Sequence, residues 1–493
     1  MRVLDGLQPE KVFYYFEEIS KIPRGSGNTK AISDYCVQFA KDRGLFVVQD
    51  EVNNVIIKKN ATNGKEESPT VILQGHLDMV TEKTNDLEHD FMKDGLKLMV
   101  EGDYVTADRT TLGADNGIAV AYALAILDSK DIPHPALEVL FTVDEEVGMD
   151  GAMFIDMSQF EGKYLLNLDC DMEDTLMAGC AGGVRINGEF GIHRTNISGK
   201  SYTITVSGLK GGHSGSEIDK ERGNANIILG RVLSELFDEN DRVCITDFAG
   251  GNKDNAITRE ATANIVFANK NTESMIFMDE ADFNIEDAIN ELNKILKNEY
   301  LASDEGVFIS ITNNGYVEDE NVWSHESQAC ILEFLYATPN GPINMCYGMN
   351  GLVETSLNLG ITTTEEDCFR TVTTIRSVVA SRKEWLKNRI VRLIELCNGE
   401  ATILSDYPEW EFKRDSYLQK LLTGIYKKEF DRDLKVDVIH AGLECGYLVK
   451  KKPELDIVSF GPVMYDIHTT EERLSISSTE LTYKFLLKIL EEI

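Results

Sequence analysis

Apolar positions in the first third of the chain switch between helical spacing and short continuous runs. Residues 9–22 have apolar side chains at helical spacing, which predicts an amphipathic helix that ends before Pro23. The small apolar residues at 116–127 predict a second helix. Short apolar runs, which are typical of buried strands, lie at 71–74, 137–143 and 164–168. Strands that alternate with helices in this way indicate an α/β domain with a parallel sheet.

The pattern changes near residue 184. Polar and apolar residues alternate, as in half-exposed strands, at 200–206 and 369–376. Helical spacing is found at 222–237 and 382–397. This part of the chain therefore resembles an α+β domain more than it resembles the alternating pattern that precedes it.

The α/β pattern returns after residue 407. It predicts a helix at 417–430, a buried strand at 455–460 and a final helix that begins near Ser477, where Ser-Ser-Thr-Glu has the spacing of a capping box. We therefore predict an α/β fold with a parallel-rich mixed sheet and helices on both faces, interrupted by an inserted α+β domain. The predicted boundaries are 1–185 and 405–493 for the two parts of the α/β domain and 186–404 for the insertion.

The composition restricts the partners that the protein can have. Its 493 residues include 49 basic and 83 acidic side chains, a formal net charge of −34, so nucleic acid and anionic membranes are not expected partners. No apolar run approaches the ~20 residues of a membrane span, and the amino terminus lacks the apolar core of a signal peptide. Nine cysteines without a C-x-x-C pair fit a reducing compartment. We therefore expect a cytoplasmic enzyme.

Histidine and acidic residues follow the predicted strands at the points where the strands end. In an open parallel sheet, residues just past the carboxyl ends of the strands gather along one edge, where ligands bind. The residues at such positions are His76, Asp78, Asp144, Glu145, Glu146, Asp169 and His468. Asp115 stands at the entrance to the predicted helix at 116–127. The sequence thus places two histidines and several carboxylates at one rim of the sheet.

This concentration of negative charge requires cations, because carboxylates a few ångströms apart repel one another. Two histidines with three carboxylates suit two divalent metal ions of the zinc type, with Co²⁺ or Mn²⁺ as alternatives, whereas an all-oxygen set would favour Mg²⁺ or Ca²⁺. If one carboxylate bridges the two ions and each ion has two further protein ligands, five ligands are needed. The rim supplies that number.

Segments along the chain match known motifs. Four of them are Gln74-Gly-His-Leu-Asp-Met-Val, Thr110-Thr-Leu-Gly-Ala-Asp-Asn-Gly, Asp144-Glu-Glu-Val-Gly and Asn167-Leu-Asp. These resemble the M20 family of dinuclear zinc peptidases. Four more are Gly179-Cys-Ala-Gly-Gly, Gly208-Leu-Lys-Gly-Gly-His-Ser-Gly, Arg222-Gly-Asn-Ala-Asn and His440-Ala-Gly-Leu-Glu-Cys-Gly. They are similar to the aminoacyl-histidine dipeptidase (Xaa-His dipeptidase) branch, which implies a zinc-peptidase-like fold and hydrolysis of small dipeptides.

The resemblance also implies the metal ligands. His76 and Asp169 would hold one metal ion, Glu146 and His468 would hold the other, and Asp115 would bridge the two. The two parts of the α/β domain would then form one catalytic, metal-binding domain. The expected reaction is metal-dependent hydrolysis of a peptide bond by a water that bridges the two ions.

Two further carboxylates have implied roles at this centre. Glu145 would be the general base that takes the proton of the water as it attacks the peptide carbonyl. Asp78 would accept the far N–H of His76, which fixes the tautomer of that ligand.

By the same resemblance, the insertion is a lid that binds substrate. His213 would stabilise the oxyanion, and Asn255 and Arg376 would grip the terminal carboxylate and backbone of the substrate. Gly442 and Glu444 would line the pocket, with Glu444 positioned to meet a free amino terminus. We hypothesise that His213 serves the site of its own chain; a homodimer that supplies it across the interface is the alternative.

Other functions are weighed against this one. An N-acyl-amino-acid deacylase, or another amide hydrolase on the same fold, would share the metals and Glu145 and differ in the lid. A non-catalytic binding protein is disfavoured because the base and all five candidate ligands are present. The sequence also departs from the family in three places. Thr-Thr-Glu-Glu follows His468, Cys-Asp-Met-Glu follows Asp169, and Arg109 stands where glycine is usual.

Overall fold

The computed structural model describes residues 2–269, 283–346 and 351–493. The chain divides into two compact units. The first comprises Met1–Cys180, Trp410–Val438 and Leu443–Ile493, and the second comprises Ala181–Glu409 and Ile439–Gly442. Across these described ranges, every helix is too short or too polar to cross a membrane.

The described residues form eleven α-helices and twenty-three strands. The helices are α1 (Glu10–Ser20), α2 (Lys30–Asp42), α3 (Ala114–Asp128), α4 (Asp150–Phe154), α5 (Ala225–Glu239), α6 (Ile285–Glu299), α7 (His325–Ala337), α8 (Ala380–Leu396), α9 (Tyr417–Phe430), α10 (Cys445–Lys451) and α11 (Ile476–Glu492). The strands are β1 (Phe46–Gln49), β2 (Val55–Lys59), β3 (Val71–His76), β4 (Leu98–Glu101), β5 (Tyr104–Ala107), β6 (Leu137–Thr142), β7 (Tyr164–Asn167), β8 (Thr175–Cys180), β9 (Gly182–Gly191), β10 (Arg194–Ser207), β11 (Gly212–His213), β12 (Val243–Gly250), β13 (Ala256–Ile257), β14 (Ala261–Ala268), β15 (Phe308–Trp323), β16 (Gly341–Met345), β17 (Val353–Thr364), β18 (Cys368–Ser377), β19 (Gly399–Tyr407), β20 (Lys435–Ile439), β21 (Asp456–Ser459), β22 (Met464–Tyr465) and β23 (Arg473–Ser475).

An eight-stranded mixed sheet organises the first unit, in the order β1-β2-β6-β3-β7-β21-β8-β20. The neighbours β6, β3, β7 and β21 run parallel, and β2 and β8 pair antiparallel on either side of them. Every residue of β3 and β6 is buried, as in a parallel sheet that is covered on both faces. The predicted fold class, a parallel-rich mixed α/β sheet, is therefore confirmed.

Helix α3, which carries Asp115 at its start, packs against β3, which ends at His76. A Cβ on Gly75 would come within 2.6 Å of the Ala119 Cβ, so glycine in the strand and alanine in the helix permit this close approach. At the start of the helix, Asp115 and Asn116 depart from helical geometry and are joined by a cis peptide bond. The Asn116 amide accepts from the backbone N–H of His76 at 3.1 Å, which ties α3 to the end of β3.

The last helix is capped differently from the prediction. The Ser475 hydroxyl accepts from the backbone N–H of Ser478 at 3.2 Å, so Ser475 is the cap and the capping box expected at Ser477 is wrong. The Ser477 hydroxyl instead donates to the carboxylate of Asp103 at 2.6 Å. The helix itself spans the predicted region.

The second unit contains a nine-stranded sheet whose path is β15-β10-β14-β12-β17-β18-β9-β19, with β16 paired to β17. All of these pairings are antiparallel. Buried and partly exposed residues alternate along most of β10, which confirms the half-exposed strand predicted at 200–206. Helices α5 and α7 pack together, and Phe334, Phe369 and Trp323 lie in the apolar core of this unit.

Candidate metal centre and active site

Three side chains from distant parts of the sequence meet in the first unit. His76 is the last residue of β3, Asp115 lies at the start of α3, and His468 lies between β22 and β23. The Oδ1 atom of Asp115 is 3.2 Å from Nε2 of His76, and its Oδ2 atom is 3.3 Å from Nε2 of His468. One carboxylate thus faces two imidazoles, one through each of its oxygens.

Glu146 and Asp169 lie on the two sides of this group. Oε1 of Glu146 is 3.0 Å from Nε2 of His468, and Oδ1 of Asp169 is 3.7 Å from Nε2 of His76. The ligand atoms of His76, Asp115 and Glu146 all lie within 4.8 Å of one another. The structure therefore brings together the five side chains that the sequence nominates as ligands.

Asp78 connects the end of β3 with the segment that follows β6. Its Oδ1 lies 3.3 Å from Nδ1 of His76, so the far side of that imidazole faces a carboxylate. The same carboxylate accepts from the backbone N–H groups of Glu145 and Glu146, at 3.1 and 3.3 Å, and from the Ser26 hydroxyl at 2.8 Å. Burial would raise the pKa of Asp78, but the hydrogen bond to His76 and the other donors lower it to about 2.

The imidazoles and carboxylates of this cluster shift one another's pKa. Burial lowers the pKa of His76, but the surrounding carboxylates, above all Asp169, hold it well above its ordinary value. Hydrogen bonds to Asp115 and Glu146 raise the pKa of His468 to about 10. Burial opposes ionisation of Asp115, yet its two histidine partners keep its pKa below the ordinary range. A set of imidazole and carboxylate donors that attracts positive charge in this way fits divalent cations of the zinc type.

Glu145 and Glu444 are two further carboxyl groups of the first unit. Burial raises the pKa of Glu145 well above its ordinary value, and the charges of Asp169 and Glu444 raise it further. Glu444 is fully buried, where it accepts from the Gln74 amide at 2.6 Å and the Thr142 hydroxyl at 2.7 Å, and burial raises its pKa to about 7. Glu444 is thus held against the carboxyl ends of β3 and β6.

In the second unit, His213 stands in a tight turn at the end of β11. Its Nδ1 accepts from the backbone N–H groups of Gly215 and Ser216, at 3.2 and 3.1 Å, which assigns the ring proton to Nε2. The neighbouring Ser214 N–H donates to the carbonyl of Asn255 at 2.8 Å, so the turn brings these two predicted residues close together. Burial and the charge of Arg376 lower the pKa of His213, which favours a neutral imidazole that can donate from Nε2.

Arg376 and His440 are buried in the same unit. Nη1 of Arg376 donates to the Tyr407 hydroxyl at 2.9 Å, and Nε2 of His440 is 2.7 Å from the Ser356 hydroxyl. Burial, together with the Arg376 charge, lowers the pKa of His440 to about 3. Gly442 follows His440 by two residues. Of the four predicted substrate-binding residues, Asn255, Arg376 and Gly442 therefore belong to the second unit and Glu444 belongs to the first. His213, which is predicted to be catalytic, also belongs to the second unit.

The neutral, buried His440 predicts a loss of stability in acid. Below pH 6.5 the unfolded residue takes up a proton that the folded residue, with a pKa of about 3, does not. The free energy of unfolding should therefore fall, on account of this residue, by about 1.4 kcal/mol per pH unit between these two values. In His440→Gln, which retains a hydrogen-bonding side chain, this part of the pH dependence should vanish. Urea unfolding of both proteins at two pH values in this range measures it, and identical pH dependence would contradict the prediction.

Arg24 and Glu472 are buried charged residues of the first unit that the sequence did not nominate. Glu472 accepts from the backbone just before Asp115, and Arg24 donates to the same loop. Arg24 is the last residue of the segment Ile22-Pro-Arg, and Glu472 is the last residue of the Thr-Thr-Glu-Glu run after His468. Neither segment indicates which distant loop its side chain would contact.

Known proteins resemble this chain over its whole length. Residues 72–492 match the model of peptidase family M20/M25/M40. The chain is 36% identical over 495 residues to the cytosol non-specific dipeptidase of Escherichia coli (strain K12), covering 100% of this chain and 99% of that protein. The crystal structure of aminoacylhistidine dipeptidase from Vibrio alginolyticus has a TM-score of 0.89 and 36% identity, covering 99% of this chain and 98% of that one. Aminopeptidase PepT from Bacillus cereus ATCC 10987 shares the fold, with a TM-score of 0.56, 15% identity and 99% coverage of both chains.

A metal-dependent hydrolase is the class of protein that this fold and this group of histidines and carboxylates define. The chain belongs to peptidase family M20/M25/M40. The resemblance drawn from the sequence motifs and the prediction of an enzyme are therefore confirmed. The family match extends over both units of the chain.

Proposed function

We propose that the protein hydrolyses dipeptides, including Xaa-His dipeptides, with the help of two divalent metal ions. The observation that carries the proposal is the position of Asp115, whose two oxygens each face a different histidine. A carboxylate with this geometry suits a bridge between two cations. The names of the full-length relatives, a non-specific dipeptidase and an aminoacylhistidine dipeptidase, support the choice of substrate.

The side chains of the cluster divide into two ligand sets. His76 and Asp169 would hold one ion, Glu146 and His468 would hold the other, and Asp115 would be the ligand that the two ions share. Zn²⁺ is the proposed metal, with Co²⁺ or Mn²⁺ as alternatives, because imidazole and carboxylate donors suit these ions. When bound, the ions act as Lewis acids that polarise the peptide carbonyl and make water a stronger acid.

Glu145 is the proposed general base. Its burial and its carboxylate neighbours raise its pKa, and a carboxylate with a raised pKa accepts a proton more readily than an exposed glutamate does. It takes the proton from the attacking water and later delivers it to the leaving amine. Asp78 holds Nδ1 of His76, so that Nε2 remains the ligand atom of that residue.

The residues of the second unit are proposed to bind the substrate. His213 donates from Nε2 to the carbonyl oxygen as negative charge develops on it. Arg376 offers its planar fork to the terminal carboxylate, Asn255 binds the substrate backbone, and Gly442 lines the pocket. His213 acts on the site of its own chain, or on that of a partner in a homodimer.

The proposed setting is the cytoplasm, with a small peptide as the partner and neither nucleic acid nor a membrane. The nine cysteines all lie among the described residues and none of them forms a disulfide bond there, which agrees with a reducing compartment. The large negative charge disfavours anionic surfaces.

Release of histidine from β-alanyl-histidine tests the proposal. The purified protein should release histidine, a chelator should abolish the release, and addition of Zn²⁺, Co²⁺ or Mn²⁺ should restore it. An N-acylated amino acid serves as the comparison substrate, because the alternative function is an N-acyl-amino-acid deacylase. Histidine release that resists the chelator, or faster cleavage of the N-acylated amino acid than of any dipeptide, would refute the proposal.

A further inference from the structure

Arg24 is a buried cation that joins two loops of the candidate centre. Its side chain is 2% exposed. Nη1 donates to the carbonyls of Leu77 and Asp78, at 3.0 and 3.1 Å, and Nη2 donates to the carbonyl of Gly113. His76 is the last residue of β3. One guanidinium therefore links the loop that follows His76 to the loop that leads into Asp115.

The carboxylate of Glu472 accepts hydrogen bonds from backbone N–H groups of the second loop, the one that leads into Asp115. Its Oε2 accepts from Leu112 at 2.8 Å and Gly113 at 3.0 Å, and its Oε1 accepts from Ala114 at 2.8 Å and Asp115 at 3.4 Å. The side chain is also 2% exposed. Several N–H groups directed at one buried carboxylate fix the path of a backbone, since a buried N–H without a partner is costly.

The Gly113 peptide groups are held from both directions. The N–H of Gly113 donates to Glu472, and its carbonyl accepts from Arg24. A Cβ on Gly113 or Gly117 would come within 2.6 or 2.5 Å of the guanidinium, so glycine at both positions leaves room for it. Gly113 also has a φ of 64°, a conformation that favours glycine.

Charge complements this geometry. The acidic groups that act most strongly on Arg24 are Glu472, Asp78, Asp115 and Glu146. A buried cation among these groups offsets part of the repulsion between the carboxylates of an assembled ligand set. A site with prepositioned ligands binds its metal more tightly, because less ordering remains to be done on binding.

We propose that Arg24 and Glu472 are positioning residues that hold the Asp115 loop between them, so that both oxygens of Asp115 face their histidines before metal binds. The inference rests on the proposed role of Asp115 as the bridging ligand. It assigns to Arg24 and Glu472 an effect on metal affinity, and no contact with the substrate.

Glu472→Gln and Arg24→Lys test the inference. A glutamine at 472 turns an NH₂ group toward N–H groups that need an acceptor, and a lysine at 24 keeps the charge but loses the fork that spans the two loops. Competition between the protein and a chromophoric chelator for Zn²⁺ should give dissociation constants about 10- to 100-fold higher than in the native chain, the range typical of residues that orient ligands. The absorption spectrum of the Co²⁺-loaded protein should also change, whereas Glu471→Gln, at an exposed neighbour, should alter neither quantity.

The outcomes separate the inference from the proposed function. If the native chain binds two ions and both variants bind them with native affinity and a native Co²⁺ spectrum, the inference is wrong and the proposed function stands. If the native chain binds no metal, the proposed function itself fails. Circular dichroism of the metal-free variants checks folding, and Arg24→Lys alone decides the result if Glu472→Gln does not fold.

Discussion

Glu145→Gln is expected to lower kcat for β-alanyl-histidine by about 10²- to 10⁴-fold, the usual contribution of a general base. The amide cannot accept the proton of the attacking water, although it fills nearly the same space. Because Glu145 is not one of the five proposed ligands, metal content should stay at the native value. Steady-state kinetics together with metal analysis of the same preparation measures both quantities.

Asp144→Asn is the matched control for this variant. Asp144 precedes Glu145 and also loses one negative charge, but its side chain accepts from the Gly27 N–H at 2.7 Å, a role that asparagine can keep. The control should retain nearly native kcat. An equal loss of kcat in the two variants would mean that the loss of one negative charge is sufficient to explain the effect. Undiminished kcat in Glu145→Gln would show that Glu145 is not the general base.

Asp115→Asn should weaken metal binding more than any change outside the ligand set. Asparagine has one acceptor oxygen in place of two and carries no charge, so it cannot serve the positions next to His76 and His468 together. We expect the affinity for at least one ion to fall by more than about 100-fold, above the range for residues that only orient ligands. Dipeptide hydrolysis should fall with it. Equilibrium dialysis against Zn²⁺ and assays over a range of metal concentrations measure the two effects.

Asp171→Asn provides the control for this second variant. Asp171 is a partly buried acid in the same unit whose charge interacts with Asp115, and it is not a proposed ligand. The Asp171→Asn substitution removes one negative charge near the candidate metal centre and leaves the proposed ligand atoms in place. Two bound ions with native affinity in Asp115→Asn would contradict the bridging role.

The convergence of the ligand cluster could be predicted from the sequence because it follows from topology. The runs that became β3, β6 and β7 were recognisable as buried strands, and residues just past parallel strands share one edge of the sheet. Asp115 could be added because it opens a recognisable helix. His468 could be added because it follows the predicted strand at 455–460, and the family resemblance implied its role as a ligand.

The side chains that support the cluster could not be predicted in the same way. Glu472 contacts a loop 357 to 360 residues earlier, and Glu444 contacts a glutamine 370 residues earlier. The local spacing of apolar and polar residues does not predict such contacts, because they depend on how the sheet and its loops pack. The sequence therefore suggested that Glu444 lines a pocket, whereas the structure encloses it between Gln74 and Thr142.

Backbone conformation was predicted less well than the elements. Arg109, at a position where glycine is usual, adopts a φ of 61°, so the loop keeps the turn that glycine would favour. Its guanidinium pairs with Asp86 and Asp108 at the surface. At α11 the cap lies two residues before the predicted one, because the Ser475 hydroxyl reaches the free N–H of Ser478. Such details depend on local contacts that a sequence pattern does not show.

Anomalous X-ray scattering at the zinc edge, from crystals of the full chain prepared with Zn²⁺, tests the central claim most directly. We expect two peaks about 3.5–4 Å apart, one beside His76 and Asp169 and the other beside Glu146 and His468, with an oxygen of Asp115 on each. A single peak, or peaks remote from Asp115, would contradict the account.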